Sequence, residues 1–177
     1  PNQLKNSILQ LAIQGKLVEQ RPEEGTAEEL LKQIQAEKQE FIKKGKIKKE
    51  KPLPHISSDE IPFDIPETWR WTRWGDLSYS IQYGYNAPAL EKGDIKMVRI
   101  SDIQNGNIIW KTVPYCNISN KEIPTYLLKK NDILFARTGG TVGKSFLVKD
   151  TPESAIYAGY LIRTRFNSEL LSPEYLK

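Results

Sequence analysis

The 177-residue chain suits one medium domain with an appendage, or two small domains. Its apolar content of 38% allows a modest core, and its formal charge of +4 favours an anionic partner. One cysteine excludes an internal disulfide, one histidine argues against a zinc site or a histidine-dependent triad, and no apolar run reaches about 18 residues. We therefore predict a cytoplasmic protein without a membrane segment.

The chain begins with a segment that we predict to be helical. Residues 3–14 carry apolar side chains at helical spacing and precede Gly15, a typical C-terminal cap. A second amphipathic helix is predicted from Thr26 to Lys44, because Thr26 and Glu29 have the spacing of a capping box. The apolar face of such a helix covers the protein's own core or binds a partner, and the sequence leaves both possibilities open.

Lysines and prolines separate this segment from the rest of the chain. Residues 43–51 contain six lysines, which are typical of a solvated linker but would also attract a phosphate backbone. Four prolines then interrupt the chain, at Pro52, Pro54, Pro62 and Pro66. We predict a helical segment at residues 1–51, a proline-rich connector at 52–66 and a second domain at 67–177.

The second domain has mainly the shorter period of β-strands. Strands are predicted at residues 69–71, 95–100, 108–110, 133–136, 145–149 and 155–166. Residues 81–88 lack a period and predict a loop, and Asn105-Gly106 predicts a hairpin turn. Ser172-Pro173 predicts the start of a helix, so we expect the domain to continue beyond Lys177. The predicted fold class is α+β, a helical segment followed by a mixed, mostly β domain.

A glycine-rich loop follows the predicted strand at residues 133–136. It contains Gly139, Gly140 and Gly143, with Arg137 before them and Lys144 after them. Glycines allow close approach of the backbone, so this loop could offer N–H groups and two cations to a phosphate. It could equally be a glycine-rich turn whose charges face water. It is not an ATP-binding P-loop, because Thr138 occupies the position of the first required glycine and a strand-like run follows Ser145.

Catalytic motifs are scarce. The sequence contains no dinucleotide-binding glycine motif, no paired cysteines and no signature of an amino-methylating DNA methyltransferase. Asp76, Asp94 and Lys96 resemble the acidic set by which many nucleases hold a metal, but such triplets are common by chance in a highly charged chain. We predict a binding protein without catalytic residues, metal or cofactor.

Five stretches, in order, resemble the specificity subunit of type I restriction-modification enzymes. They are residues 4–20, 61–71, 98–106, 130–145 and 158–165. The resemblance implies two target recognition domains in a complete subunit, each binding one half of a split DNA site, separated by long helices that dock methyltransferase subunits. This chain resembles the amino-terminal helical segment and first recognition domain. The implied partners are double-stranded DNA and the methyltransferase and restriction subunits, while S-adenosylmethionine and Mg-ATP should bind to those subunits.

Candidate DNA contacts combine the resemblance with the residue types. A recognition domain must contact phosphates for register and base edges for sequence. Phosphate contacts are predicted at Arg137, Thr138, Gly139, Gly140 and Lys144. Base-edge or sugar contacts are predicted at Tyr83, Tyr85, Asn86, Arg99, Ser101, Gln104 and Asn105. Arg99 could equally be part of a structural ion pair.

Three other functions are compatible with the sequence. The first is a recognition domain from a fused restriction-methylation enzyme, which the residues beyond Lys177 would distinguish. The second is a protein-interaction module, which would bind a protein without dependence on salt and would not bind DNA. The third is a nuclease, whose cleavage would need a metal and would disappear with Asp94→Asn.

Overall fold

The computed structural model describes residues 2–177 of the chain. These residues form two compact units, with the division between Leu77 and Ser78. The predicted boundaries at residues 51 and 66 remain a prediction. None of the helices among residues 2–177 combines the length and the hydropathy that crossing a bilayer requires.

The first unit contains α1 (Asn2–Ile13), α2 (Ala27–Lys43) and α3 (Trp74–Leu77). Both amphipathic helices predicted from the sequence are confirmed. The Thr26 hydroxyl accepts the N–H of Glu29, and the Glu29 carboxylate accepts the N–H of Thr26, so the predicted capping box begins α2. Gly15 follows α1 with a φ of 68°, as its predicted capping role requires.

The proline-rich residues fold back within the first unit. The Pro66 ring lies so close to Gly15 that a Cβ at residue 15 would collide with it. The Arg73 guanidinium pairs with the Glu60 carboxylate at 2.7 and 2.9 Å and donates to the carbonyl oxygens of Pro54 and His55. These contacts fix an irregular segment that has little secondary structure of its own.

The predicted strand at residues 69–71 is wrong. Trp69 and Trp71 lie half-buried in an irregular segment, and the Phe63 ring packs edge-on against Trp71 at 5.1 Å. Their spacing reflects packing within this unit, because no neighbouring strand among residues 2–177 supplies a ladder of backbone hydrogen bonds here.

Residues 78–177 form nine short strands and two one-turn helices. The strands are β1 (Ser80–Tyr83), β2 (Ile95–Val98), β3 (Ile103–Gln104), β4 (Asn107–Ile108), β5 (Tyr115–Cys116), β6 (Ile133–Ala136), β7 (Ser145–Leu147), β8 (Ala155–Tyr157) and β9 (Leu161–Arg165). The helices are α4 (Ile123–Tyr126) and α5 (Pro173–Leu176). With the helices of the first unit, they confirm the predicted α+β class.

The strands form two main sheets and a hairpin. One sheet is antiparallel, in the order β1-β9-β6-β7. The other has the order β5-β2-β8, with β2 and β8 parallel. The hairpin joins β3 to β4 through Asn105 and Gly106, whose φ values of 49° and 74° are those of the predicted Asn-Gly turn.

The core lies on both faces of β2 and β8. Met97 and Ile156 belong to one buried cluster, whereas Val98 and Tyr157 belong to another. Successive side chains of a strand point to opposite faces, so both faces of these strands carry buried apolar residues, and Lys96 is the one charged residue in β2.

Two other predicted elements have the wrong residue ranges. Residues 155–166 do not form one strand, because β8 and β9 belong to different sheets and the chain crosses between them at residues 158–160. Residues 81–83 belong to β1 and not to a loop, because they pair with β9 in the register that opposes Tyr83 to Ile162. The β1–β9 ladder joins residues about 80 apart in sequence, and the β2–β8 ladder joins residues about 60 apart.

Candidate nucleic-acid interface

One end of the four-stranded sheet brings together residues that are distant in sequence. Tyr83 ends β1, Tyr160 immediately precedes β9, Arg137 immediately follows β6, and Lys144 immediately precedes β7. Because neighbouring strands are antiparallel, these four positions lie at the same end of the sheet. The backbone N–H of Arg137 donates to the carbonyl oxygen of Tyr160 at 2.9 Å, which ties the two loops together.

The glycine loop is a tight connection between β6 and β7. Its ends are closed by hydrogen bonds from Gly143 N–H to Ala136 O and from Ala136 N–H to Lys144 O, at 3.0 and 2.9 Å. Gly139 and Gly143 have φ values of 79° and 82°, which side chains with a Cβ rarely adopt. A Cβ built on Gly139, Gly140 or Gly143 would meet no atom within 4 Å, so this side of the loop is open to a ligand.

The two cations of the loop are available to an anion. The Arg137 guanidinium lies over the Tyr83 ring, 4.8 Å from its centroid, and Tyr83 is 56% exposed. Within residues 2–177, neither Arg137 nor Lys144 forms a side-chain hydrogen bond or a salt bridge. The stack orients the guanidinium without neutralising its charge. The structure therefore presents two unpaired positive charges beside an open backbone loop.

Tyr160 is a surface residue that the sequence analysis missed. Its side chain is 64% exposed and lines a groove of about 320 Å³ together with Arg99 and Ser101. The rest of the lining is apolar: Ala87, Ala89, Met97, Ile100 and Ala158. In the sequence, Tyr160 lies within a run that is typical of a buried strand. Its exposure follows from the crossing between sheets at residues 158–160, which the sequence pattern does not show.

Arg99 forms the structural ion pair that the sequence left open. Its guanidinium donates to both oxygens of Asp102, at 3.0 and 2.9 Å, and Asp102 is 1% exposed. These hydrogen bonds raise the pKa of Arg99 above its usual value. The Nη1 group has no hydrogen-bond partner among residues 2–177. Arg99 can therefore hold its own turn and still donate to a ligand.

Arg99 also lines a second groove. Its volume is about 550 Å³, and its lining includes Lys96 and Lys111. Lys96 is paired with Glu153 at 2.8 Å, whereas Lys111 is exposed and makes no ion pair among the described residues. Lys111 is a second candidate that the sequence analysis missed, because a lone lysine beside a hairpin carries no motif.

The remaining predicted contacts differ in their surroundings. Gln104 and Asn105 are exposed at the hairpin turn. Thr138 is exposed in the glycine loop. Asn86 lies against Gly159, and a Cβ added at residue 159 would collide with the side-chain amide of Asn86. Tyr85 is half-buried with its ring 5.2 Å from that of Tyr126, and burial raises the pKa of Tyr85.

The residues of the possible nuclease site have structural contacts. A carboxylate oxygen of Asp94 accepts the N–H of Ile118 at 3.0 Å. Lys96 donates to the carbonyl oxygen of Trp110 and to Glu153. Within residues 2–177, no group of three or more acidic, histidine or cysteine side chains could hold a metal ion.

Comparison with known proteins shows similarity to specificity subunits of type I restriction enzymes. The specificity subunit of the type I restriction enzyme EcoEI from Escherichia coli is 35% identical over 183 residues, which cover 98% of this chain and 30% of that protein. The specificity subunit of the type I restriction enzyme EcoAI from Escherichia coli is 41% identical over 135 residues, which cover 75% of this chain and 23% of that protein. The chain thus spans less than a third of the length of these relatives. No family model matches it.

Proposed function

This chain belongs to the family of type I restriction-enzyme specificity subunits, and from that premise we propose that it binds one half of a bipartite DNA target. In this proposal it forms the amino-terminal part of the subunit, with the first recognition domain, and it selects the site for methyltransferase and restriction subunits. The chain itself carries no catalytic step, and it acts in the cytoplasm.

One observation carries the proposal: Arg137 and Lys144 lie unpaired at one end of a sheet, beside the exposed ring of Tyr83. Cations that already have acidic partners gain little from a phosphate, whereas unpaired cations release counterions from the DNA when they bind. The open face of Gly139 and Gly140 allows the duplex backbone to approach closely. These features support a phosphate-binding role for the glycine loop.

Base contacts are proposed beside the phosphate contacts. Tyr83, Tyr160 and the free Nη1 group of Arg99 offer donors, acceptors and stacking surfaces. Ser101, Gln104, Asn105 and Asn86 remain candidates, because hydroxyl and amide groups can discriminate base edges. Tyr85 is the least accessible candidate, and we assign it the role of supporting the segment that carries Asn86.

Protein partners are proposed for the apolar face of α1. Leu4, Ile8, Leu9 and Leu11 are exposed on this helix, although large apolar side chains favour burial. We assign this face to the methyltransferase subunit or to helices of the complete subunit outside this chain. Ile34 of α2, by contrast, is 1% exposed and belongs to the interior of the first unit.

The test is duplex binding as a function of salt. The purified chain should bind double-stranded DNA with a log affinity that falls linearly with log salt concentration. A chain that binds a protein at constant affinity across the same salt range, and binds no duplex at low salt, would instead be a protein-interaction module.

A further inference from the structure

The groove beside Tyr160 suggests how the chain distinguishes bases, and the inference rests on the proposed function. We propose that this groove receives the C5-methyl edge of a pyrimidine, which is thymine in unmodified DNA. The methyl group contacts the apolar lining, while the polar groups of Arg99, Ser101 and Tyr160 lie beside the remainder of the base edge.

The chemistry of the lining points to a methyl group. Five of its eight residues have only apolar side chains, and two of these, Met97 and Ala158, are buried. Most positions on base edges in the major groove are hydrogen-bond donors or acceptors, and the C5-methyl of thymine is the apolar exception. Against the apolar part of the lining, a polar edge would lose its hydrogen bonds to water without replacing them, whereas a methyl group gains from leaving water.

The size of the groove limits what can enter it. A volume of about 320 Å³ equals roughly ten molecules of liquid water and lies near the lower limit of small-molecule sites. An α-helix, with a diameter of roughly 10–12 Å, would not fit. The edge of a single base is small enough to enter, beside the exposed Tyr160.

The position of the groove connects it to the phosphate contacts. The carbonyl oxygen of Tyr160 accepts the backbone N–H of Arg137, so the groove and the glycine loop share a hydrogen bond. A duplex held by the loop therefore lies next to the groove, as a base contact beside a backbone contact requires.

The experiment removes a single methyl group from the DNA and leaves the protein intact. Duplexes with a randomised segment are selected on the purified chain at about 50 mM salt, where phosphate contacts are strongest. Each thymine of the selected sequence is then replaced by deoxyuridine, and each cytosine by 5-methylcytosine. We expect one thymine at which deoxyuridine weakens binding roughly fourfold, the effect of withdrawing one buried methyl-sized group. If the methyl comes from modified cytosine instead, 5-methylcytosine strengthens binding at one position by a similar factor.

Ala89→Leu fills the groove from an exposed position, and Ala36→Leu is the matched control on α2. Ala89→Leu should abolish the difference between thymine and deoxyuridine while the slope against salt stays unchanged, and Ala36→Leu should leave both unchanged. If the affinity for duplex DNA stays the same whenever a methyl group is added or removed, the groove proposal is overturned and the proposed function remains intact. The same holds if Ala89→Leu retains the fourfold difference. Absence of binding to any duplex overturns both.

Discussion

Arg137 differs from the other arginines of the second unit in what its guanidinium contacts. Arg99 and Arg165 donate to buried carboxylates, and Arg163 donates to backbone carbonyl oxygens. The Arg137 guanidinium stacks on Tyr83 and has no hydrogen-bond acceptor within the described part of the chain. Three of these arginines therefore serve the fold, and the fourth has its full charge available for a ligand.

Replacing Arg137 and Lys144 together by alanine should weaken duplex binding equally at every sequence. Two phosphate contacts are lost, so the slope of log affinity against log salt should flatten by roughly 1.8. The measurement is a salt titration of binding. The matched control, Arg137→Lys with Lys144→Arg, conserves both charges and should conserve the slope. An unchanged slope in a folded alanine variant would place the loop outside the interface.

The Glu60 carboxylate provides a test of pH dependence. Its hydrogen bonds to Arg73, with smaller contributions from Ser57, lower the pKa of Glu60 to about 2 from the ordinary 4.5. A lowered folded-state pKa means that this pair stabilises the fold above about pH 4.5, and the contribution is lost as the pH falls through about 2. An NMR titration of the Glu60 carboxyl should show that midpoint, and Arg73→Gln should raise it towards 4.5. A wild-type midpoint near 4.5 would contradict the pairing.

At the scale of elements, β9 is anchored to the segment before β6 by buried charge. The Asp132 carboxylate accepts two hydrogen bonds from Arg165, at 2.7 and 3.0 Å, and one from the N–H of Lys129. Arg163 donates to the carbonyl oxygens of Leu127 and Thr125 from the same face of the strand. These bonds tie a segment with little regular structure to the sheet that presents the glycine loop.

Removing Asp132 should destabilise the second unit strongly. Asp132→Ala leaves the buried Arg163 without its neighbouring carboxylate and removes the ion-pair partner of Arg165. The free energy of unfolding should therefore fall by about 3–5 kcal/mol. Urea denaturation followed by circular dichroism measures the change. Glu169→Ala, at an exposed position, should alter stability by no more than about 0.5 kcal/mol. A small effect of Asp132→Ala would mean that the charges are solvated in solution.

The two long helices should respond differently to substitution. Ile34→Ala creates a cavity inside the first unit and should cost about 2–5 kcal/mol of its stability. Leu4→Gln, at a side chain that is 69% exposed, should change stability by no more than about 0.5 kcal/mol. Thermal unfolding distinguishes the two. If Leu4→Gln also leaves assembly with the methyltransferase subunit and the complete specificity subunit unchanged, the apolar face of α1 has no partner there.

At the scale of the whole molecule, the chain spans 30% and 23% of its two relatives. Under the proposed function the chain contacts the bases of one half-site only, and its specific affinity should be modest. The complete subunit, reconstituted with its methyltransferase, should modify a bipartite sequence. Substituting Ala89→Leu there should change preference in one half only, as mapped on a library of methylated DNA. Changed preference in both halves would contradict the proposal that this chain recognises one half of the site.

Features that depend only on neighbouring residues were predictable from the sequence. The capping box at Thr26, the Asn105-Gly106 turn and the strand before the glycine loop were predictable because each is defined within a few residues. The family was also predictable, because five stretches in order carry the resemblance.

Which residues share a surface could be seen only in the folded chain. Tyr83, Arg137 and Tyr160 meet because β1, β6 and β9 pair across as many as 85 positions, from Ser80 to Arg165, and local patterns contain no information about such pairing. The same pairing buried Arg163, left Arg137 unpaired and divided residues 155–166 between two sheets. A charge is free or neutralised according to what the fold places beside it, and this is why composition alone could not identify the proposed binding surface.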